Sequence, residues 1–344
     1  QRQMCIRDST RTTPDDAYRF AKGGAVDHPS GEPMQLDRPL DFYAVTDHAA
    51  NLGFLRSLMD PNSPLHDDPF AKQLVDSSTV KARGGYLPGS AEYAAEHGSK
   101  AVARSAWQEI VAAAERHNAP GKFTAFIGYE YTPSREGGNL HRNVIFRGGE
   151  APRDIFSRED SANPEDLWSW MDGVREDGID LLAIPHNSNG SDGWMFETRQ
   201  FDGSPIDADY ADKRMRNEPI IELTQVKGTS ETHPFLSPDD EWADFEIYPF
   251  MVARWDKSRP RGSYARDALL NGLVMQSQEG FNPYKIGFVG ASDTHNSGFP
   301  FKEEEYTGKV GIHDYSPKSR GSVPIDTYDS MPTYREVFRR YYSS

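Results

Sequence analysis

Five times along this chain a histidine or carboxylate is set against a short apolar, β-prone run, and that recurrence constrains the fold more than any bulk property. The sites are Asp47 and His48 after Tyr43–Ala44–Val45–Thr46, Glu130 after Phe126–Ile127–Gly128–Tyr129, His141, His186 after Ile184–Pro185, and Asp293 and His295 after Phe288–Val289–Gly290–Ala291–Ser292. An ionisable group at a strand end must be solvated, paired or ligating. Carried by a buried strand, it stands on a rigid support at the end of the sheet where α/β proteins assemble their sites.

The intervening sequence supplies helices. Residues 14–22 start on Pro14 and acids and stop at Gly23–Gly24, and residues 101–117 place apolar or small side chains at helical spacing. Asn163–Pro164–Glu165–Asp166 is a helix start, 263–278 is helix-like, and Tyr334–Tyr342 reads as a short terminal helix. Strand-like runs fall at 41–46, 123–128, 142–147, 179–184, 219–226 and 285–291. Strands alternating with helices predict a parallel α/β arrangement with ligands at strand C-terminal ends, and a distorted barrel is the preferred form over an open doubly wound sheet. Two insertions interrupt the pattern, a polar one at about 51–100 and a loop rich in aromatics and Pro at about 232–262.

Residues 1–9 resemble a translated sequencing adapter and are excluded from the fold, leaving 10–344 as a single domain. Cys5, the one cysteine, falls in that stretch, so disulfide and thiolate chemistry drop out. A net charge of −15 opposes non-specific binding to nucleic acid or anionic lipid, and no apolar run reaches membrane-spanning length. An anionic substrate must then be met by local positive charge, for which bound metal ions are one source. No dinucleotide-binding glycine motif, P-loop or nucleophile elbow is present. Oligomeric state stays open.

Neutral imidazoles with ionised carboxylates are the donor set of divalent transition metals, and a bridging carboxylate can serve two of them. Asp293 and His295, at i and i+2, share a side if the strand continues through them. Asp47 also suits a helix cap, Glu130 a buried salt bridge, and His141 an ordinary loop. Lys227 follows the strand 220–224, where its ammonium meets a substrate oxyanion or is simply solvated.

The ordered motifs Thr46–Asp47–His48, Gly128–Tyr129–Glu130, Asn139–Leu140–His141, Ile184–Pro185–His186–Asn187 and Ser292–Asp293–Thr294–His295 resemble those of the PHP (polymerase and histidinol phosphatase) superfamily of metal-dependent phosphoesterases. More narrowly, the wording around Thr10–Ala21, Tyr43–Ala49, Gly128–Thr132 and Gly290–Asn296 is similar to the bacterial family DUF3604. The resemblance implies a distorted, seven-stranded TIM-like barrel carrying two or three divalent ions, zinc, manganese or iron. It implies that Glu130 bridges two metals, that His141 and His186 hold the second, and that Asp293 shares the first with an N-terminal His-x-His pair. His48 and His295 would belong to a third site, with Asp47 orienting or assisting. No His-x-His motif precedes Thr10, so the expectation is a fragment whose barrel is incomplete at the N-terminus and cut short at the C-terminus. The implied activity is hydrolysis of a small anionic ester, phosphate or sulfate; with Lys227 added from its place after the strand 220–224, the expected catalytic set is Asp47, Glu130 and Lys227. The alternatives are an amidohydrolase-like enzyme and a non-catalytic metal- or ligand-binding protein.

Overall fold

The computed structural model describes residues 12–28, 31, 33–76, 90–251, 256–300, 302, 305 and 309. The adapter-like residues 1–9 and the expected helix Tyr334–Tyr342 lie outside the described residues. The chain divides into two compact units, one of residues 128–152 and 156–292, the other of 2–127, 153–155 and 293–344.

In the second of these units, α1 (Pro14–Ala21) begins with a capping box. Thr13 caps the Asp16 N–H, and the Asp16 side chain returns to the Thr13 N–H at 2.8 Å. After the small hairpin β1 (Val26–Asp27) and β2 (Pro33–Met34) comes β3 (Phe42–Ala44), which pairs in parallel with β4 (Thr124–Phe126). The crossover between them holds α2 (Phe54–Met59), α3 (Pro69–Val75), α4 (Ser90–His97) and α5 (Lys100–His117). The stretch 51–100, expected to be a polar insertion, thus carries helices of its own. Phe54, Leu58, Ala71, Leu74 and Ala94 form a small buried cluster beneath its polar surface.

The other unit contains the elements that carry Glu130, His141, His186 and Lys227. β5 (Gly128–Tyr131) is followed by the tight hairpin β6 (Ser134–Arg135) and β7 (Gly138–Asn139), and then by β8 (Arg142–Phe146). Helix α6 (Pro164–Glu176), capped by Asn163, leads to β9 (Leu181–Pro185). Next come α7 (Ala208–Asn217), β10 (Ile220–Gln225) and β11 (Gly228–Thr229), and the unit closes with α8 (Ala265–Glu279) and β12 (Gly287–Gly290). Leu140, Met195, Phe196, Ile221, Ala265, Ala268, Tyr284 and Ile286 make one buried core cluster of this unit. The loop 232–262 has no helix or strand among its described residues, as its aromatic and proline content predicts.

The expected seven-stranded TIM-like barrel is not formed. Among the described residues the strands make separate sheets of two or three, and none closes. Among the described residues only β3/β4 and β10/β12 pair in parallel, whereas β8 runs antiparallel to both β5 and β9. The reason is the connection between β5 and β8. A parallel return needs roughly a dozen residues or more, usually a helix, but residues 132–141 are spent on the β6–β7 hairpin. The strand at 142–147 therefore comes back in the opposite direction.

A buried ion cluster anchors the start of β8. Arg142 donates from Nε to Glu218 Oε1 at 2.8 Å and from a guanidinium nitrogen to the Leu140 carbonyl. Trp168 Nε1 donates to the same Glu218 oxygen at 2.8 Å, while Arg214 lies 3.3 Å from the other. Burial alone would push the Glu218 carboxyl up, but the two guanidinium groups outweigh it and hold the group below its usual value.

Candidate metal centre

Antiparallel pairing is what gathers the first three candidate residues. Tyr131, at the end of β5, is opposite Arg142 at the start of β8, and Arg142 is opposite Pro185 at the end of β9. The end of β5, the beginning of β8 and the end of β9 therefore lie side by side. Glu130, His141 and His186 occupy those three positions, and the His186 N–H extends the ladder to the His141 carbonyl at 3.2 Å.

Their side chains converge on one point. His141 Nδ1 lies 2.6 Å and His186 Nε2 2.9 Å from the same Glu130 Oε1, with all three side chains at most 5% exposed. The imidazole rings stand nearly perpendicular, at 78° with centroids 5.5 Å apart. One donor atom from each residue falls within 4.8 Å of the others, so this buried group could hold a metal ion. In a tetrahedral shell with bonds near 2.0–2.1 Å, neighbouring donors are about 3.3 Å apart. The contacts to Glu130 thus need to open by only several tenths of an ångström to admit an ion. Two nitrogens and a carboxylate oxygen, without thiolate, suit zinc, manganese and iron alike.

The support around this group is polar and mostly amide. Asn139 Nδ2 donates to the carbonyls of His186 at 2.9 Å and Asn187 at 3.1 Å, and its Oδ1 accepts from the His141 N–H at 3.3 Å, so one side chain fixes both histidine segments. Asn139 sits on the β6–β7 hairpin beside Gly138, where an added Cβ would come within 2.2 Å of the Ser191 carbonyl, so no larger residue fits there without moving backbone. Asn189 donates to the carbonyls of Lys227 at 3.1 Å and Tyr248 at 3.0 Å, and its Oδ1 accepts from Ser230 Oγ at 2.9 Å. Burial raises the Tyr129 and Tyr131 phenols well above their usual value, so both flank Glu130 as neutral groups. Nothing in the donor types that mark metal ligands singles out these supporting amides in the sequence. The available signal was that Asn139, Asn187 and Asn189 cluster around two candidate ligands.

Lys227 belongs to the same unit, in the turn between β10 and β11, and is buried at 1% exposure. Gly228 follows with φ of 88°, the left-handed conformation that closes this hairpin.

The remaining four candidates lie in the other unit, where His48, Asp293 and His295 make a second group. The His48 and His295 rings meet edge to face at 5.6 Å. Asp293 Oδ2 is 2.7 Å from Lys309 Nζ, which also donates to the Asp293 carbonyl at 2.8 Å. His295 Nδ1 donates to that carbonyl at 3.0 Å, a tautomer that leaves Nε2 with the lone pair. Asp47 is exposed. The extended geometry expected for Asp293 and His295 does not occur: β12 ends at Gly290, and Asp293 adopts a left-handed φ of 51°. In this second group the carboxylate has a lysine ammonium as its cation.

No helix among the described residues is long and apolar enough to cross a membrane. Comparison with curated protein sequences finds no match, and comparison with solved structures finds none either. A family model described as a protein of unknown function (DUF3604) matches residues 5–337, and so spans both groups of candidate residues. The chain belongs to the DUF3604 family.

Proposed function

We propose that this protein is a metal-dependent hydrolase of a small phosphate or sulfate ester, with chemistry of the kind carried out by the polymerase and histidinol phosphatase superfamily. The observation that carries the proposal is the convergence of Glu130, His141 and His186 on one buried point. A divalent ion held there would supply Lewis acidity and an ionised water near neutral pH.

The chain's own groups support the rest of the reading. Glu130, His141 and His186 would hold the ion, and Asn139 keeps the two histidines in register. Lys227 contributes a buried cation in a chain whose net charge of −15 otherwise repels anions. The proposal requires one ion at the first group. A second at His48 and His295 would have to compete with Lys309 for the Asp293 carboxylate.

The test is a panel of p-nitrophenyl phosphate, bis-p-nitrophenyl phosphate, p-nitrophenyl sulfate and a p-nitroanilide, each with added Mn²⁺ or Zn²⁺. The expected result is turnover of a phosphate or sulfate ester that chelation abolishes and metal restores. Turnover confined to the anilide would favour an amidohydrolase instead. Tight metal binding with no turnover on any member would make this a binding protein.

A further inference from the structure

Directly after His186 the chain turns on Asn187, whose φ of 51° is one that asparagine and glycine tolerate best. The orientation of its carboxamide follows from a chain of hydrogen bonds that starts at a group with only one role. The Lys227 backbone N–H can only donate, and it donates to Gln225 Oε1 at 3.0 Å. Gln225 therefore turns its Nε2 toward Asn187 and donates to Oδ1 at 3.0 Å. The Asn187 oxygen is thereby assigned, and its NH₂ is the group left over.

That nitrogen is buried and has no hydrogen-bond partner, on a residue only 2% exposed. The hydroxyl of Ser188, next in sequence and equally buried, is in the same condition. An unmatched buried donor is costly, and native structures keep few of them without a reason. Here two consecutive residues carry such groups, and the first adjoins a metal-ligating candidate.

We propose that the Asn187 NH₂ donates to an oxygen of a tetrahedral oxyanion, phosphate or sulfate, bound at the Glu130, His141 and His186 centre. The inference rests on the reading of that centre as one that takes an anionic ester, and it deepens that reading by naming a substrate-binding donor. Asn187 stays a neutral donor at every pH the protein tolerates, so it favours the ionised oxyanion without ionising itself. Its Oδ1 is held by Gln225, which orients the NH₂ before a ligand arrives.

Calorimetric titration of the Mn²⁺-loaded protein with inorganic phosphate, and separately with inorganic sulfate, tests this. Asn187→Asp keeps the acceptor for Gln225 and the tolerance for the left-handed backbone but replaces the donor with a carboxylate oxygen. Asn187→Gly keeps the backbone and removes the side chain. Gln225→Glu still accepts from the Lys227 N–H but cannot donate, so the Asn187 carboxamide turns over and presents its oxygen. All three variants are expected to bind Mn²⁺ within a few-fold of wild type and to lose about tenfold or more in affinity for one oxyanion, with the greatest loss in Asn187→Asp. The anion whose binding falls identifies the ester class. Wild-type affinity for both anions in all three variants would overturn the inference, as would a Mn²⁺-loaded wild type that binds neither. A wild-type protein that takes up no Mn²⁺ would overturn the underlying reading and this inference together.

Discussion

Glu130→Gln is expected to lower Mn²⁺ and Zn²⁺ affinity by on the order of 100-fold, with the fold intact. Structural zinc sites bind with apparent free energies of about 10–16 kcal/mol, or roughly 3 kcal/mol per ligand over four ligands, and each 1.4 kcal/mol is a factor of ten. Glu130 is the only carboxylate of the buried group and the shared partner of both imidazoles. Glutamine has the same shape and can still accept one imidazole N–H, but it carries no charge to offset the ion. Protons compete with the metal ion for imidazole and carboxylate donors, so affinity in the wild type rises with pH. Equilibrium dialysis with a metal-sensitive dye measures both effects. An affinity within threefold of wild type in Glu130→Gln would remove Glu130 from the site.

Arg142→Ala is expected to destabilise the unit formed by residues 128–152 and 156–292 by roughly 3–5 kcal/mol, the usual cost of breaking a buried ion pair from one side. Arg142 and Glu218 are 2% and 1% exposed at their side chains, so neither charge has water to fall back on. Arg142 also immediately follows His141, so the loss should loosen the start of β8 and weaken metal binding as a second effect. The pH dependence has a definite sign. The Glu218 carboxyl is held below its usual value of 4.5. Its contribution is therefore fully present above that unfolded value and is lost as pH falls through the lower, folded one. With Arg142 gone, that acid-range dependence shrinks. Urea unfolding of both proteins between pH 3 and pH 7 reads these effects. A cost below about 1 kcal/mol would mean that the cluster is not the anchor described here.

Local elements were legible in the sequence because their signals are local. The proline and acids at 14–16, the Asn163–Pro164 helix start and the helical spacing within 101–117 all lead to helices within a residue or two of the expected bounds. The candidate ligands Glu130, His141 and His186 were also legible, since an ionisable group beside an apolar strand has few places to go. Strand direction was not. Apolar runs read the same parallel or antiparallel, and only the hairpin-sized connection Ser134–Asn139 reported that β8 must reverse. Reading His141 as a residue at the start of a strand, with Glu130 and His186 at strand ends, would have required an antiparallel sheet. Helices α2, α3 and α4 were hidden for a different reason: in an otherwise polar stretch α2 and α3 bury two small or apolar side chains each, and α4 one among its described residues. The second group was legible as residue types, but nothing local to Asp293 announces that Lys309 supplies its cation.

The proposed function stands or falls on whether Glu130, His141 and His186 together bind one divalent ion. X-ray absorption at the zinc edge on the wild-type protein, loaded with one equivalent of Zn²⁺, tests it most directly. The expected result is a first shell of nitrogen and oxygen at about 2.0–2.1 Å with the outer-shell scattering of two imidazoles. One of those imidazoles should be lost in His141→Ala and likewise in His186→Ala. A zinc spectrum unchanged by either substitution, or a wild-type protein that retains no zinc, would contradict it.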